Sequence, residues 1–256
     1  MKLTVVGCAG SFASAESPAS CYLVEAESAV SQGGRTWRIL LDLGSGAFGA
    51  LQGLADPLDI DAVLFSHLHA DHCLDLCGYY VFRKYHPTGA QPAIPVYGPA
   101  GVADRMARAY DLPLDPGMHA EFTFTEYDDQ PIEIGPFTIT AVPVKHPVPA
   151  VAFRIEAQGR TLVYSGDTGP CSALDELAKG ANLLLAEAAF VTGGDNPPDL
   201  HLTGADCGQV ARSADVDLLV LTHVPAWHDP ATALAESRAT YDGSIALAHP
   251  GDAFKV

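Results

Sequence analysis

Short apolar runs recur along the whole chain and alternate with longer segments whose apolar positions are spaced three or four residues apart. The runs predict β-strands and the longer segments predict amphipathic helices, because side chains alternate across a strand and repeat every 3.6 residues around a helix. The predicted strands span 3–6, 21–25, 37–42, 62–65, 94–97, 121–125, 137–142, 151–155, 161–164, 183–186, 218–221 and 244–247. The predicted helices span 74–85, 100–110, 171–179, 203–214 and 230–241. This order predicts two β-rich layers, each covered by helices.

The segment from Ser66 to His72 contains three histidines and one aspartate, and it directly follows the apolar run at 62–65. Neutral imidazole and carboxylate are ligands that suit zinc, iron or manganese. A polar surface loop is the alternative interpretation. The spacing His-x-His-x-Asp-His after a buried strand favours a metal site.

Further ligand types follow other predicted strands. His146 comes just after the strand at 137–142, Asp167 follows the strand at 161–164 within a glycine-flanked turn, and His223 follows the strand at 218–221. Each has an ordinary alternative, since a histidine can cap a strand and an aspartate can make an Asx turn. Their repeated placement at strand ends favours one shared metal site.

The combined pattern resembles the metallo-β-lactamase superfamily over essentially the whole chain, and implies a single domain (1–256) of the α+β class, a four-layer αβ/βα sandwich. By this resemblance, His67, His69 and His146 hold one divalent metal ion. Asp71, His72 and His223 hold a second, and Asp167 bridges the two. Zinc is the expected metal, with manganese and iron as alternatives.

Two further segments resemble the ribonuclease Z and phosphodiesterase branch of that superfamily: Tyr97-Gly98-Pro99, and the stretch from Asp199 to Thr203. This resemblance implies that His201 is a general acid. The alternative is that His201 merely precedes a helix capped by Thr203. Glu187 ends a strongly apolar run, where it either orients a histidine or faces water.

The expected chemistry is phosphodiester hydrolysis. A water bridging two divalent ions loses a proton near neutral pH and becomes the nucleophile. Asp71 would orient that water and His201 would protonate the leaving oxygen. Short actinobacterial-type atypical cyclic nucleotide phosphodiesterases resemble this chain in the segments 17–23 and 85–87. A 3′,5′-cyclic nucleotide is therefore the expected substrate.

Two alternatives remain: ribonuclease Z-like tRNA 3′ processing, and hydrolysis of a lactone or thioester. Ribonuclease Z enzymes carry a tRNA-gripping arm between the positions that match His146 and Asp167. Here only residues 147–166 lie between them, which is room for one hairpin. Fourteen Lys and Arg against 31 Asp and Glu give a net charge of −17, which disfavours long nucleic acid as a partner. The local pair Arg83 and Lys84 remains a candidate phosphate contact.

The remaining composition bears on location and assembly. No apolar run reaches the roughly 18 to 20 residues that a membrane span needs, and the first residues lack the features of a secretory signal. Six scattered cysteines predict free thiols rather than a disulfide framework. We therefore expect a cytoplasmic protein with no membrane association, and leave a homodimer open. Cys73 and Cys77 face either the core or the metals, and Trp227 and His228 either line the pocket or form a dimer contact.

Overall fold

Two seven-stranded sheets pack face to face in the computed structural model, which describes residues 1–29 and 33–256. The first sheet contains β1 (Lys2–Gly7), β3 (Cys21–Glu27), β4 (Thr36–Leu41), β5 (Ala62–Leu64), β6 (Ile94–Gly98), β7 (Phe122–Glu126) and β16 (Ala253–Lys255). Its strand order is β16-β1-β3-β4-β5-β6-β7. The strands β4 to β7 run parallel to one another, so their carboxyl ends meet at one edge.

The second sheet repeats this arrangement with the later part of the chain. It contains β8 (Ile132–Ile134), β9 (Phe137–Pro143), β10 (Val151–Ala157), β11 (Arg160–Tyr164), β12 (Leu183–Glu187), β13 (Leu218–Thr222) and β15 (Ser244–Leu247). Its order is β15-β13-β12-β11-β10-β9-β8, and β11, β12, β13 and β15 are parallel. A two-stranded ribbon joins β2 (Ala9–Gly10) to β14 (Val224–Pro225).

Helices cover the outer face of each sheet. They are α1 (Ala47–Leu51), α2 (Ala70–Cys73), α3 (Leu76–Lys84), α4 (Val102–Ala109), α5 (Ser172–Leu177), α6 (Gly204–Ser213) and α7 (Pro230–Thr240), with a 3₁₀ turn at Pro57–Asp59. Thr203 begins α6 with a reciprocal hydrogen-bonded cap to Asp206, and Asp229 caps α7 ahead of Pro230. Such caps satisfy the free amides of the first helical turn.

Three layers of buried side chains hold the sandwich together. In β3, Tyr22 and Val24 face the core between the sheets, whereas Cys21 and Leu23 face the helices outside the first sheet. In β12, Leu183 and Leu185 face the central core and Leu184 faces the outer helices of the second sheet. Because these strands are buried on both faces, they appear in the sequence as continuous apolar runs.

The predicted fold class is confirmed: mixed sheets flanked by helices form the αβ/βα sandwich. Several short elements were not predicted, namely α1, β2, β8, β14 and β16, because pieces of two to five residues have too little periodicity to detect. The helix predicted at 74–85 begins at Leu76, and the separate helix α2 precedes it. Among the described residues, no helix is long and apolar enough to cross a membrane. The single-domain organisation stays a prediction.

Candidate metal centre

Segments that follow strands of both sheets converge on one site. His67 lies three residues after β5, and His69 precedes α2, which carries Asp71 and His72. From the second sheet, Asp167 follows β11 and His223 directly follows β13. Parallel strands place their carboxyl ends at the same edge, so residues far apart in sequence meet there.

Three imidazoles form the first cluster, the three-histidine group of His67, His69 and His146. His67 Nε2 lies 2.9 Å from His69 Nδ1, and His146 Nε2 lies 3.2 Å from the same nitrogen. His67 is fully buried, whereas His69 and His146 are half-buried. This group therefore has one side towards the protein interior and one side open.

The second cluster, the Asp/His group, contains Asp71, His72, Asp167 and His223. His72 Nε2 lies 3.2 Å from Asp167 Oδ1 and 3.2 Å from His223 Nε2. Asp71 Oδ2 lies 3.3 Å from His223 Nε2. Asp167 also approaches the three-histidine group, with Oδ2 3.7 Å from His67 Nε2. Its carboxylate therefore stands between the two clusters.

Asp42, which belongs to none of the sequence motifs, supports the Asp/His group from its buried side. It is fully buried, and its Oδ2 accepts a 2.7 Å hydrogen bond from His72 Nδ1. The Ser66 backbone N–H donates to Oδ1 at 2.7 Å, while the Ser66 and Tyr164 hydroxyls each donate to Oδ2 at 2.8 Å. A carboxylate held this way fixes the orientation of the imidazole that it binds.

His67 and His146 also each turn one ring nitrogen away from the cluster. His67 Nδ1 lies 3.1 Å from Ser66 Oγ and His146 Nδ1 lies 3.0 Å from the Leu200 carbonyl oxygen, to which it donates. Both hydrogen bonds place the ring proton on Nδ1, so Nε2 of His67 and Nε2 of His146 each carry a lone pair. In His69 the converging nitrogen is Nδ1 instead.

This donor set fits divalent metal ions. Ring nitrogens of the three imidazoles converge to about 3 Å from one another, an arrangement that a shared cation stabilises. Asp167 Oδ1 is buried and has no hydrogen-bond partner among the described residues. An unpartnered buried carboxylate oxygen is costly unless an ion binds it. The two clusters and the carboxylate between them are therefore suited to two ions.

The pKa values of several of these side chains also favour metal binding. Burial lowers the pKa of His67 well below its usual value, and the neighbouring His72 lowers it further. Burial also lowers the pKa of His69 and of His146. For Asp167, burial opposes ionisation, but the nearby imidazoles, His223 first, hold its pKa well below the usual range. Neutral imidazoles beside an ionised carboxylate are the forms that bind metals.

His201 lies beside both clusters and is anchored by Glu187. Its Nδ1 lies 2.9 Å from Glu187 Oε1, and Glu187 is fully buried at the end of β12. The backbone N–H groups of Thr168 and Ala189 donate to the two oxygens of Glu187 at 3.0 Å each. Burial lowers the pKa of His201, but the charge and hydrogen bond of Glu187 outweigh it and raise the pKa to about 9.

Glu187, His201 and His223 also form a third set of converging ligand atoms. Two backbone amides and His201 already occupy the Glu187 oxygens, so we interpret this set as a hydrogen-bonded pair rather than as a metal site. Of the two alternatives for Glu187, the structure agrees with the one in which it orients a histidine, since Glu187 is fully buried and contacts His201.

Backbone geometry brings the loops close together. His223 has a positive φ of 55°, which is uncommon for a residue with a side chain. A Cβ on Gly10 would lie 2.2 Å from the His223 carbonyl oxygen, and one on Gly44 would lie 1.9 Å from the Asp71 carbonyl oxygen. Only glycine permits these two approaches, so both residues serve the placement of ligand-bearing segments.

Other residues considered from sequence lie outside the clusters. Cys73 is buried in the layer between the first sheet and its outer helices. Among the described residues, neither Cys73 nor Cys77 belongs to a group of possible metal ligands. Trp227 is 64% exposed and contacts Phe12 at a ring-centroid distance of 5.0 Å. Of the candidate pair Arg83 and Lys84, Arg83 is not available to a phosphate, because its buried guanidinium donates to the Tyr79 hydroxyl and the Pro92 carbonyl.

Comparison with known families identifies the architecture. Residues 37–224 match the model of the Beta-lactamase superfamily domain. The chain belongs to this superfamily. The histidines and aspartates of the two clusters all lie within the matched range.

Several relatives match most or all of the length of this superfamily member. Mycobacterium tuberculosis Rv1339, described as uncharacterized, is 39% identical over all of this chain and 92% of its own. Bacillus subtilis YhfI, a probable metallo-hydrolase, is 29% identical over 98% of both chains. The YhfI crystal structure aligns with a TM-score of 0.86 at 26% identity, covering 99% of this chain and 98% of YhfI. Myxococcus xanthus ribonuclease Z is 26% identical over 83% of this chain and 86% of its own. Membership and these similarities support hydrolase activity.

Proposed function

We propose that this protein is a metal-dependent phosphodiesterase that hydrolyses a small phosphodiester, with a 3′,5′-cyclic nucleotide as its substrate. The observation that carries the proposal is the His201–Glu187 pair, which places a proton donor beside two clusters of metal-ligand type. A phosphodiester with a poor leaving group needs both charge stabilisation at phosphorus and a proton for the departing oxygen.

The ligand assignment follows the two clusters. His67, His69 and His146 would hold one ion, and Asp71, His72, Asp167 and His223 would hold the other. Asp167 Oδ2 also lies 3.7 Å from His67 Nε2, so we propose that Asp167 is shared between the two ions. Zinc is the proposed metal, because imidazole-rich sites with a carboxylate suit it, and manganese or iron are the alternatives. Bound together, two such ions would polarise the phosphoryl oxygens and lower the pKa of a water between them.

The chain supplies the remaining steps through its own side chains. Glu187 accepts the hydrogen bond from His201 Nδ1, which leaves Nε2–H of the protonated ring to donate to the leaving oxygen. A pKa of about 9 keeps His201 protonated at neutral pH, as a general acid must be. Asp71 is half-buried at the edge of its cluster, where it orients the attacking water.

Size and charge favour a small substrate. The segment between His146 and Asp167 contains the hairpin of β10 and β11, in which Ala157 pairs with Arg160 across Gln158 and Gly159. Such a two-residue turn has no room for an inserted RNA-binding arm. The net charge of −17 also opposes long polyanions, whereas bound divalent ions would offset it locally for a small anion.

The second candidate is tRNA 3′ processing, which the similarity to Myxococcus xanthus ribonuclease Z favours. It predicts cleavage of a tRNA precursor with little turnover of mononucleotides.

A substrate panel tests both candidates. Zinc- or manganese-loaded protein would be assayed on 3′,5′-cyclic AMP, 3′,5′-cyclic GMP, bis(p-nitrophenyl) phosphate, a tRNA precursor, a homoserine lactone and a glutathione thioester. We expect turnover of a cyclic nucleotide and of the nitrophenyl diester. Cleavage of the tRNA precursor instead would move the function to RNA processing, and activity confined to the lactone or thioester would refute the phosphodiesterase proposal.

A further inference from the structure

A cavity of about 400 Å³ adjoins the three-histidine group and has no part in the chemistry described above. Its walls contain His69 and the apolar residues Leu68, Pro99, Ala100, Val148 and Pro149, together with Arg105 of α4. A second cavity of about 400 Å³ shares four of these wall residues and also contacts His146. Binding pockets for small molecules commonly measure about 300 to 1,000 Å³ and combine apolar walls with few polar groups.

Arg105 is the charged group in the wall of the first cavity. It is half-buried, and no carboxylate of the described residues forms an ion pair with it. By contrast, Arg108 on the same helix pairs with Asp104 at 3.5 Å. The chain has 31 acidic residues against 14 basic ones, so carboxylates are abundant. A cation left unpaired beside a metal-ligand cluster is available to a ligand.

We propose that this cavity binds the part of the phosphodiester substrate remote from the scissile bond, and that Arg105 binds two adjacent acceptor atoms on it. The inference rests on the proposed phosphodiesterase function. Guanidinium presents its N–H groups as a planar fork, which matches acceptors arranged in pairs. A nucleotide offers such a pair at the O6/N7 edge of guanine or on a second phosphate, whereas adenine presents a donor beside its N7 acceptor.

The test compares Arg105→Gln and Arg105→Lys with wild type and with the matched control Arg108→Gln, which removes a charge from the exposed side of the same helix. Values of kcat/KM would be measured for 3′,5′-cyclic GMP, 3′,5′-cyclic AMP, cyclic di-AMP and bis(p-nitrophenyl) phosphate. Calorimetric titration with 5′-GMP and 5′-AMP gives a binding readout that is independent of turnover.

If guanine is the partner, Arg105→Gln lowers kcat/KM for cyclic GMP and the affinity for 5′-GMP by roughly 5- to 150-fold, the discrimination of one bidentate pair. Arg105→Lys loses nearly as much, because an ammonium lacks the fork. If a second phosphate is the partner, cyclic di-AMP shows the loss and Arg105→Lys restores part of it. In both cases bis(p-nitrophenyl) phosphate and the Arg108→Gln control stay near wild type.

Equal losses on every substrate, or no loss on any, would overturn the role of Arg105 while leaving the phosphodiesterase function in place. Absence of phosphodiester turnover by the wild-type protein would refute the proposed function instead. In that event, 5′-GMP binding that does not depend on Arg105 refutes the cavity assignment as well.

Discussion

The two ligand clusters differ in how firmly the protein holds them. In the Asp/His group, His72, Asp167 and His223 are buried, and His72 rests on Asp42, which accepts hydrogen bonds from Ser66 and Tyr164. In the three-histidine group, His69 and His146 are half-buried, and His146 depends on a backbone carbonyl. The cavity with Arg105 adjoins the three-histidine group.

This difference indicates that the two clusters have different roles within one site. A buried imidazole held by a hydrogen-bonded carboxylate, as His72 is by Asp42, has a fixed orientation, because the carboxylate itself is fixed by its other donors. An open cluster keeps access for a substrate. We therefore expect substitutions beneath the Asp/His group to act on metal retention, and substitutions around the three-histidine group to act on substrate selection.

The largest effect is expected where the two clusters meet. Asp167→Ala removes the carboxylate that stands between them, so both metals and all phosphodiester hydrolysis should be lost together. Metal content by atomic emission, beside activity and a circular dichroism spectrum, measures this. A folded variant that retains both metals would refute the assignment of Asp167 as the shared ligand.

His201→Ala should separate acid catalysis from metal binding. General acids contribute about 10² to 10⁴ in rate, so kcat on a cyclic nucleotide should fall by that factor while metal content is unchanged. Bis(p-nitrophenyl) phosphate should be affected far less, because nitrophenolate leaves without a proton. Undiminished turnover of the cyclic nucleotide would remove His201 from the mechanism.

Asp42→Asn should weaken metal binding at the Asp/His group and leave metal binding at the three-histidine group unchanged. Loss of a supporting hydrogen bond to a metal-bound histidine commonly costs about 10- to 100-fold in metal affinity or activity. Competition with a chelator should therefore show one ion released early and the other retained. Tyr164→Phe is the matched control, since it removes one donor to Asp42 and leaves the carboxylate in place. Equal weakening of both ions by Asp42→Asn would contradict the difference between the clusters.

The smallest effect is a change in pH dependence. Because Glu187 raises the pKa of His201 to about 9, the acid form is present below that pH and is lost as pH rises through it. Glu187→Gln removes the charge, so the alkaline decline in kcat should move to lower pH while metal content stays constant. An unchanged alkaline limb would show that another group controls it.

Site residues could be predicted from the sequence wherever a ligand-type residue lies directly beside a clear apolar run. The motif from His67 to His72, and the ligands following β9, β11 and β13, were found because each lies beside a clear apolar run. Asp42 was overlooked, although it follows β4 at the end of a predicted strand. One aspartate after a strand resembles many turn residues, and its function depends on His72, which is thirty residues away.

By itself, the sequence determined the strand and helix pattern, the superfamily resemblance and the residue types that suit metal ions, because these depend on local order along the chain. Tertiary structure alone decided which nitrogens converge and that Asp42 and Glu187 are buried supports. It also decided that Arg105 lines a cavity and forms no ion pair with any described residue. Those properties depend on distances between strands of two different sheets. Such distances arise only when the sheets pack face to face.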